Sequence, residues 1–219
     1  MFQQLNKKKE MYTKKLWVAK LVSSCQTLGP GNRGVLWVSG CSRGCPDCIA
    51  ESIQDIKAGT PVDVEVLANQ ILSWDIEGLT FSGGEPFEQA VALSALCKIL
   101  HNKNRKLTFM AYSGFTLSEL KESKQSGIKT LLSFLDILID GPFISSMQGD
   151  LLWRGSFNQQ IHCLSPRYLN SFNVAGPSEG VEIHVTKTGK IHWVGIPPAK
   201  GFDAQIEITL KNSGINLEN

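Results

Sequence analysis

Long hydrophobic runs are missing from this chain. No apolar stretch approaches the ~20 residues of a membrane-spanning helix, which argues against membrane insertion. Charge of one sign is scarce as well. Twenty-two basic and 20 acidic residues leave a net charge of +2 over 219 residues, too little for a field that would gather nucleic acid or a lipid surface. Much of the positive charge lies in 6-NKKKEMYTKK-15, which has no apolar centre. That excludes a signal peptide and reads as a solvated N-terminal segment. Internal repeats and low-complexity linkers are absent too, and 42% apolar with 19% charged residues suits one well-buried domain. Without a secretion signal the expected compartment is the reducing cytoplasm, where clustered cysteines serve metals or redox chemistry more often than disulfides.

Cysteine itself is sparse, yet three of the six stand in 39-SGCSRGCPDCIAE-51. What this cluster lacks is a fourth member. Disulfides take even numbers, and a structural zinc site takes four ligands. A zinc reading must therefore recruit Cys25, Cys97, Cys163 or one of His101, His162, His184 and His192. Cys97 falls on an apolar helix face and reads as core packing, and Cys25 and Cys163 also read as structural. Cys41, Cys45 and Cys48 follow C-x3-C-x2-C, punctuated by Gly40, Gly44 and Pro46, so the backbone can wrap tightly. Such a loop can offer three thiolates to an iron–sulfur cube and leave one iron open for a ligand.

The apolar run 34-GVLWVSG-40 just before the loop predicts a buried strand. Asp63 caps a predicted helix with Val66, Leu67, Ile71 and Trp74 on one side. Strand 78-GLTFS-82 runs into 83-GGEP-86, and a helix over 87–100 faces inward with Ala90, Leu93, Leu96, Cys97 and Leu100. Strand 107-LTFMAY-112 leads into a capping box at Thr116 and Glu119, and 135-LDILID-140 is a further strand. Alternating strands and helices predict an α/β fold on a parallel sheet, open or closed into a barrel. The unusual residues follow the C-terminal strand ends, where such sheets carry chemistry. Beyond Gly155 the segments 181-VEIHVTKTGKIHWVG-195 and 204-AQIEITL-210 predict an antiparallel strand extension, with a hairpin turn at 186-TKTGK-190.

The cysteine loop after one strand and GGEP after the next resemble the radical S-adenosylmethionine (SAM) superfamily. The likeness runs from about Gly29 to Gln160, through 29-GPGNRGVLWVSGC-41, 82-SGGEPF-87, 112-YSGFT-116, 138-LIDGPF-143 and 154-RGSFNQ-159. It is closest to the compact activating proteins of anaerobic ribonucleotide reductase. The resemblance implies a partial (β/α) barrel of the radical SAM type over 29–160, after a charged lead-in (1–28) and before a C-terminal extension (161–219). It also implies a [4Fe–4S] cluster on the three cysteines and SAM as second cofactor. Reductive cleavage of SAM would then give a 5′-deoxyadenosyl radical that takes hydrogen from a substrate.

Beside that resemblance, Gly83 and Gly84 are read as leaving room for a ligand, Glu85 as accepting from its ammonium group and Pro86 as stiffening the turn. Ser82, Ser113 and Asp140 stand at strand ends as further cofactor contacts, with Tyr112 and Gly114 beside Ser113. A turn-capping role competes for Asp140, and structural roles compete for Arg154, Asn158 and Gln159. Asp47 replaces an aromatic residue common before the last cysteine, and about sixty residues follow the last motif where the compact relatives stop. That tail tips the reading towards a peptide-modifying enzyme such as a splicease, through strand addition to an extended peptide. A glycyl-radical activase is the alternative, and a non-catalytic electron carrier is a third. The implied partners are a precursor peptide or glycyl radical enzyme, a one-electron reductant such as flavodoxin or ferredoxin, and a possible substrate-delivery protein.

Overall fold

A computed structural model describes residues 15–169, 171–185, 191–197 and 201–214. The basic stretch at 6–14 and the hairpin turn at 186–190 lie outside the described residues. Strand β1 (Lys15–Cys25) is followed by β2 (Arg33–Val38), β3 (Thr60–Asp63), helix α1 (Val64–Leu72), β4 (Gly78–Gly83) and α2 (Ala90–Lys103). Then come β5 (Thr108–Tyr112), α3 (Leu117–Glu122), α4 (Ile128–Phe134), β6 (Ile137–Asp140), and the short strands β7 (Gln148–Leu151), β8 (Arg154–Ser156) and β9 (Gln160–Cys163). The pair β10 (Val181–Val185) and β11 (Ile191–Gly195) precedes helix α5 (Phe202–Asn212).

Seven strands form one sheet in the order β3-β1-β2-β4-β5-β6-β9. The centre, β2-β4-β5-β6, is parallel. The flanks β1, β3 and β9 run antiparallel. The fold is thus α/β on an open, mixed sheet, with β3 and β9 at its edges. Central strands bury both faces, as parallel strands covered on both sides must. Towards the helices, Leu36, Phe81, Phe109 and Leu138 pack with Leu67, Leu93, Leu96 and Leu131. Towards the other face, Val22, Leu28 and Val35 meet Val194 and Ile196 of the C-terminal segment, and Met110, Ile137 and Ile139 meet Leu152 and Trp153.

Local signals explain most elements. The Asp63 carboxylate accepts from Glu65 N and starts α1, whose inward face is Val64, Leu67 and Ile71; Val66, expected inward, is 60% exposed. Ala90, Leu93, Leu96, Cys97 and Leu100 of α2 are all buried, and the Thr116–Glu119 capping box is formed. Arg33, wholly buried at the start of β2, spreads its guanidinium over Thr80 Oγ1 (2.7 Å), Thr108 Oγ1 (3.0 Å) and the Leu79 carbonyl (3.0 Å). It pins three parallel strands at their N-terminal end.

Two expectations are corrected. Residues 204–210, expected as a strand, belong to α5. Ile206 and Leu210 satisfy a two-residue alternation and also the four-residue spacing that starts at Phe202, and all three are half-buried. The charged lead-in, given no strand, contains the eleven-residue β1. The extension does supply an antiparallel pair, β10 with β11. No helix among the described residues is long and apolar enough to cross a membrane.

Candidate cofactor site

Parallel pairing of β2 with β4 sets Trp37 opposite Ser82 and Val38 opposite Gly83. The cysteine loop and the GGEP turn therefore leave the sheet side by side. Backbone bonds fasten the loop: Gly40 N donates to the Ile53 carbonyl and Cys41 N to that of Gln54, both at 2.9 Å. Ser42 donates from N (2.9 Å) and Oγ (2.6 Å) to Glu88. Gly40, Gly44 and Asp47 all take positive φ, and Asp47 tolerates that region better than most side chains. Cys41, Cys45 and Cys48 are free and half-buried, and burial pushes the Cys41 thiol upward.

Among the described residues, no three His, Cys, Asp or Glu side chains converge as a single metal ion requires. A zinc ion draws all its ligands to one point; a cube binds through corners set apart. Three thiols on one loop match the ligand number of a cube with one open iron and fall short of the four of a structural zinc site. The three other cysteines are engaged elsewhere: Cys97 in the main core, Cys25 under β11, and Cys163 against the Tyr168 carbonyl at 3.6 Å; of the candidate histidines, His192 lines the same cleft as the cysteine loop.

The GGEP turn is pressed onto this loop. Gly84 N donates to the Val38 carbonyl (2.7 Å) and Glu85 N to that of Gly40 (2.8 Å). A Cβ on Gly83 would stand 2.3 Å from the Val38 oxygen, and one on Gly84 would stand 2.2 Å from the Gly40 oxygen. The glycines are thus required by backbone packing against the cysteine loop, in addition to their place in the wall of the cleft. Glu85 is 1% exposed. Its carboxylate accepts from Phe87 N (3.0 Å), Ser113 Oγ (3.0 Å) and Gly114 N (2.8 Å), and so ties the ends of β4 and β5 together. Burial lifts its pKa to about 7 against the pull of those bonds. Pro86 is buried at the start of the following turn.

These elements wall one cleft of about 660 Å³, lined by the three cysteines, Ser82, Gly83, Gly84, Glu85 and Ser113. Asp140 is not among its walls. Its carboxylate accepts from Leu117 N at the start of α3 (2.5 Å) and lies 3.0 Å from His162 Nε2. Asp47 accepts from Ser145 Oγ at 2.7 Å outside the cleft. Gln159 bonds Gly155 N (2.8 Å) and the Gly141 carbonyl (3.0 Å) at the rim. Asn158 donates to the Pro142 carbonyl at 2.7 Å, and Arg154 donates to that of Val174 at 2.6 Å.

A 4Fe-4S single cluster domain family matches residues 27–162. The anaerobic ribonucleoside-triphosphate reductase-activating protein of Vibrio cholerae is 36% identical over 146 residues, covering 61% of this chain and 89% of that one. Its counterpart in Haemophilus influenzae is 34% identical, over 61% and 89%, and that of Enterobacteria phage T4 is 29% identical, over 61% and 85%. The chain belongs to the radical SAM family, in the branch of the anaerobic ribonucleotide reductase activating proteins. Its cofactors are a [4Fe–4S] cluster and SAM.

For a radical SAM protein the cleft has walls to which sequence reasoning gave no part in cofactor binding, His192 having been weighed only as a zinc ligand. Lys20 of β1, Arg43, and His192 and Trp193 of β11 also line it. Lys20 Nζ donates to the Trp193 carbonyl (3.2 Å) and lies 5.3 Å from the Trp37 ring centroid. Arg43 stacks over Phe115 at 4.6 Å. The capping and turn signals used above are local, and they cannot announce a strand residue brought to the cleft by pairing with β2. The β11 residues come from beyond the family match.

Proposed function

We propose that this chain is a glycyl-radical activase, which takes a backbone hydrogen from a glycine of a large partner enzyme. One observation carries the reading: the three cysteines and the Ser82–Glu85 turn wall a single cleft in a chain akin to reductase-activating proteins. The splicease reading rested on the tail as a peptide-binding edge. The relatives favour the activase instead, and the tail's Val194 and Ile196 are occupied in covering the sheet.

In this proposal Cys41, Cys45 and Cys48 hold three irons and leave the fourth to SAM. When bound, the reduced cluster would supply the one electron that SAM cleavage needs, the chemistry on which hydrogen abstraction depends. Glu85 keeps acceptor capacity beyond its three bonds; a SAM ammonium group beside it would favour its charged form. Ser82 and Ser113 offer hydroxyls to the same ligand, and Asp140 supports the site from behind by fixing α3. The sheet then acts as a partial barrel of the radical SAM type, with Val194 and Ile196 of the extension packed onto the 29–160 core. The electron comes from a protein reductant of the flavodoxin or ferredoxin class in the cytoplasm.

Anaerobic reconstitution should load about four irons per chain, and SAM should alter the EPR spectrum of the reduced cluster. With the anaerobic reductase of the same organism, a glycyl radical signal should appear on the reductase. Stoichiometric zinc without iron uptake would falsify the cluster assignment. A cluster that cleaves SAM and modifies a precursor peptide, but never the reductase, would restore the splicease.

A further inference from the structure

Beside the cofactor cleft lies a second hollow, of about 610 Å³. The two share Cys48, Ile49, Ser52, Phe143 and Trp193, so a molecule lying in the second reaches the first across that rim. The far wall is made by the C-terminal extension, where Phe202 at the start of α5 packs edge-on against Trp193 with ring centroids 5.9 Å apart. Gln148 joins the floor, its side-chain amide donating to the Pro197 carbonyl at 3.1 Å. Trp193, Pro197 and Phe202 all lie beyond the family match at residue 162.

We propose that this groove receives an extended segment of the partner enzyme, with Trp193 and Phe202 as its specificity-determining contacts. The inference rests on the activase reading and adds where the polypeptide lies. Three features argue for an extended chain as occupant. Phe143 and the contacting pair Trp193 and Phe202 offer apolar ring surface for side chains. Ser52 and Gln148 between them offer hydrogen bonds to a backbone, the combination that peptide grooves use. Asp47 and Glu51 line the same hollow, which complements a neutral or basic segment and opposes an acidic one. The groove is also continuous with the cleft where the hydrogen must be taken. An extension that supplies one wall would fit this chain to its own partner, beyond what the family core provides.

The test uses the reconstituted full-length protein and the anaerobic reductase of the same organism, with glycyl radical formation followed by EPR against reductase concentration. Phe202→Ser removes a ring of the wall. Gln148→Ala removes the hydrogen-bonding amide without adding a charge, so it keeps the test open should the first variant fold poorly. Neither residue lines the cofactor cleft. The proposal expects each folded variant to raise the half-saturating reductase concentration roughly tenfold or more, about 1.4 kcal/mol of lost contact. Iron content, SAM affinity and reductase-independent SAM cleavage should remain within about twofold of wild type. Unchanged half-saturation in Gln148→Ala and in any folded Phe202→Ser sinks the groove and leaves the activase standing. A wild type that never places a radical on the reductase sinks both.

Discussion

A single buried carboxyl makes the most specific demand on solution conditions. With its folded pKa near 7 and an unfolded value of ~4.3, Glu85 holds its proton more tightly in the native state. Its contribution to stability is therefore fully present below about pH 4 and is lost as pH rises through about 7, on the order of 3 kcal/mol in all. Gln at this position does not titrate. Thermal unfolding of the cluster-loaded, SAM-free protein should show wild type losing roughly 5 °C or more against Glu85→Gln between pH 5 and pH 7.5. A constant difference would mean that the carboxyl titrates normally. Arg33 poses the opposite case, a buried cation whose guanidinium hydrogen-bonds hydroxyls and carbonyls among the described residues. Arg33→Met strands those acceptors and should lower stability by about 3 kcal/mol in urea unfolding; a loss below about 1 kcal/mol would show that the strands need no pin. Asp47, at φ 57, is a poor place for a bulky ring. Asp47→Tyr should strain the loop by about 1 kcal/mol, while Asp47→Gly should leave SAM affinity near wild type in calorimetric titration.

At the scale of elements, the GGEP turn and the cysteine loop behave as one piece. Because the Gly84 Cα faces the Gly40 carbonyl, Gly84→Val should displace the loop and lower iron loading together with SAM binding. Full iron content with SAM affinity alone reduced would contradict this coupling. Sequence made the turn's presence legible, since GGEP follows a plain apolar strand. It hid the reason for the glycines, because the touching backbone belongs to residues over forty positions away. The same limit explains β1. Irregular pairing with β2 between Val18 and Lys20, and again between Val22 and Cys25, shifts its inward positions, so Leu16, Val18, Val22 and Cys25 show no unbroken alternation. Helices were easier, as α2 shows with a complete inward stripe and α3 with a local cap. In α5 the two periodicities coincide, and only packing of Phe202 on Trp193 separates them. At the site, the three cysteines and the Glu85 turn were readable from spacing, whereas Asp140 sat at the right strand end with its carboxylate committed to α3.

For the molecule as a whole, the β10–β11 pair is a structural part of the body. Glu182 accepts from Gln26 N and Thr27 N, and Val194 sits beside Val22 and Val35 with 1% exposure. Val194→Ser should lower Tm by several degrees in one cooperative transition, as loss of about 1–2 kcal/mol does at this size. A separate early transition, with the main Tm unchanged, would make the pair an independent unit. Its attachment to β1 also has a consequence for biosynthesis. All seven strands of the main sheet have been made once residue 163 is in place, but Val194 and Ile196 are still to come. At ~5–20 residues per second, the nascent sheet waits a few seconds with Val22, Leu28 and Val35 uncovered. During that interval the cysteine loop already exists while the β11 wall of its cleft does not, so the newborn chain offers its most open route for iron and sulfide before synthesis ends.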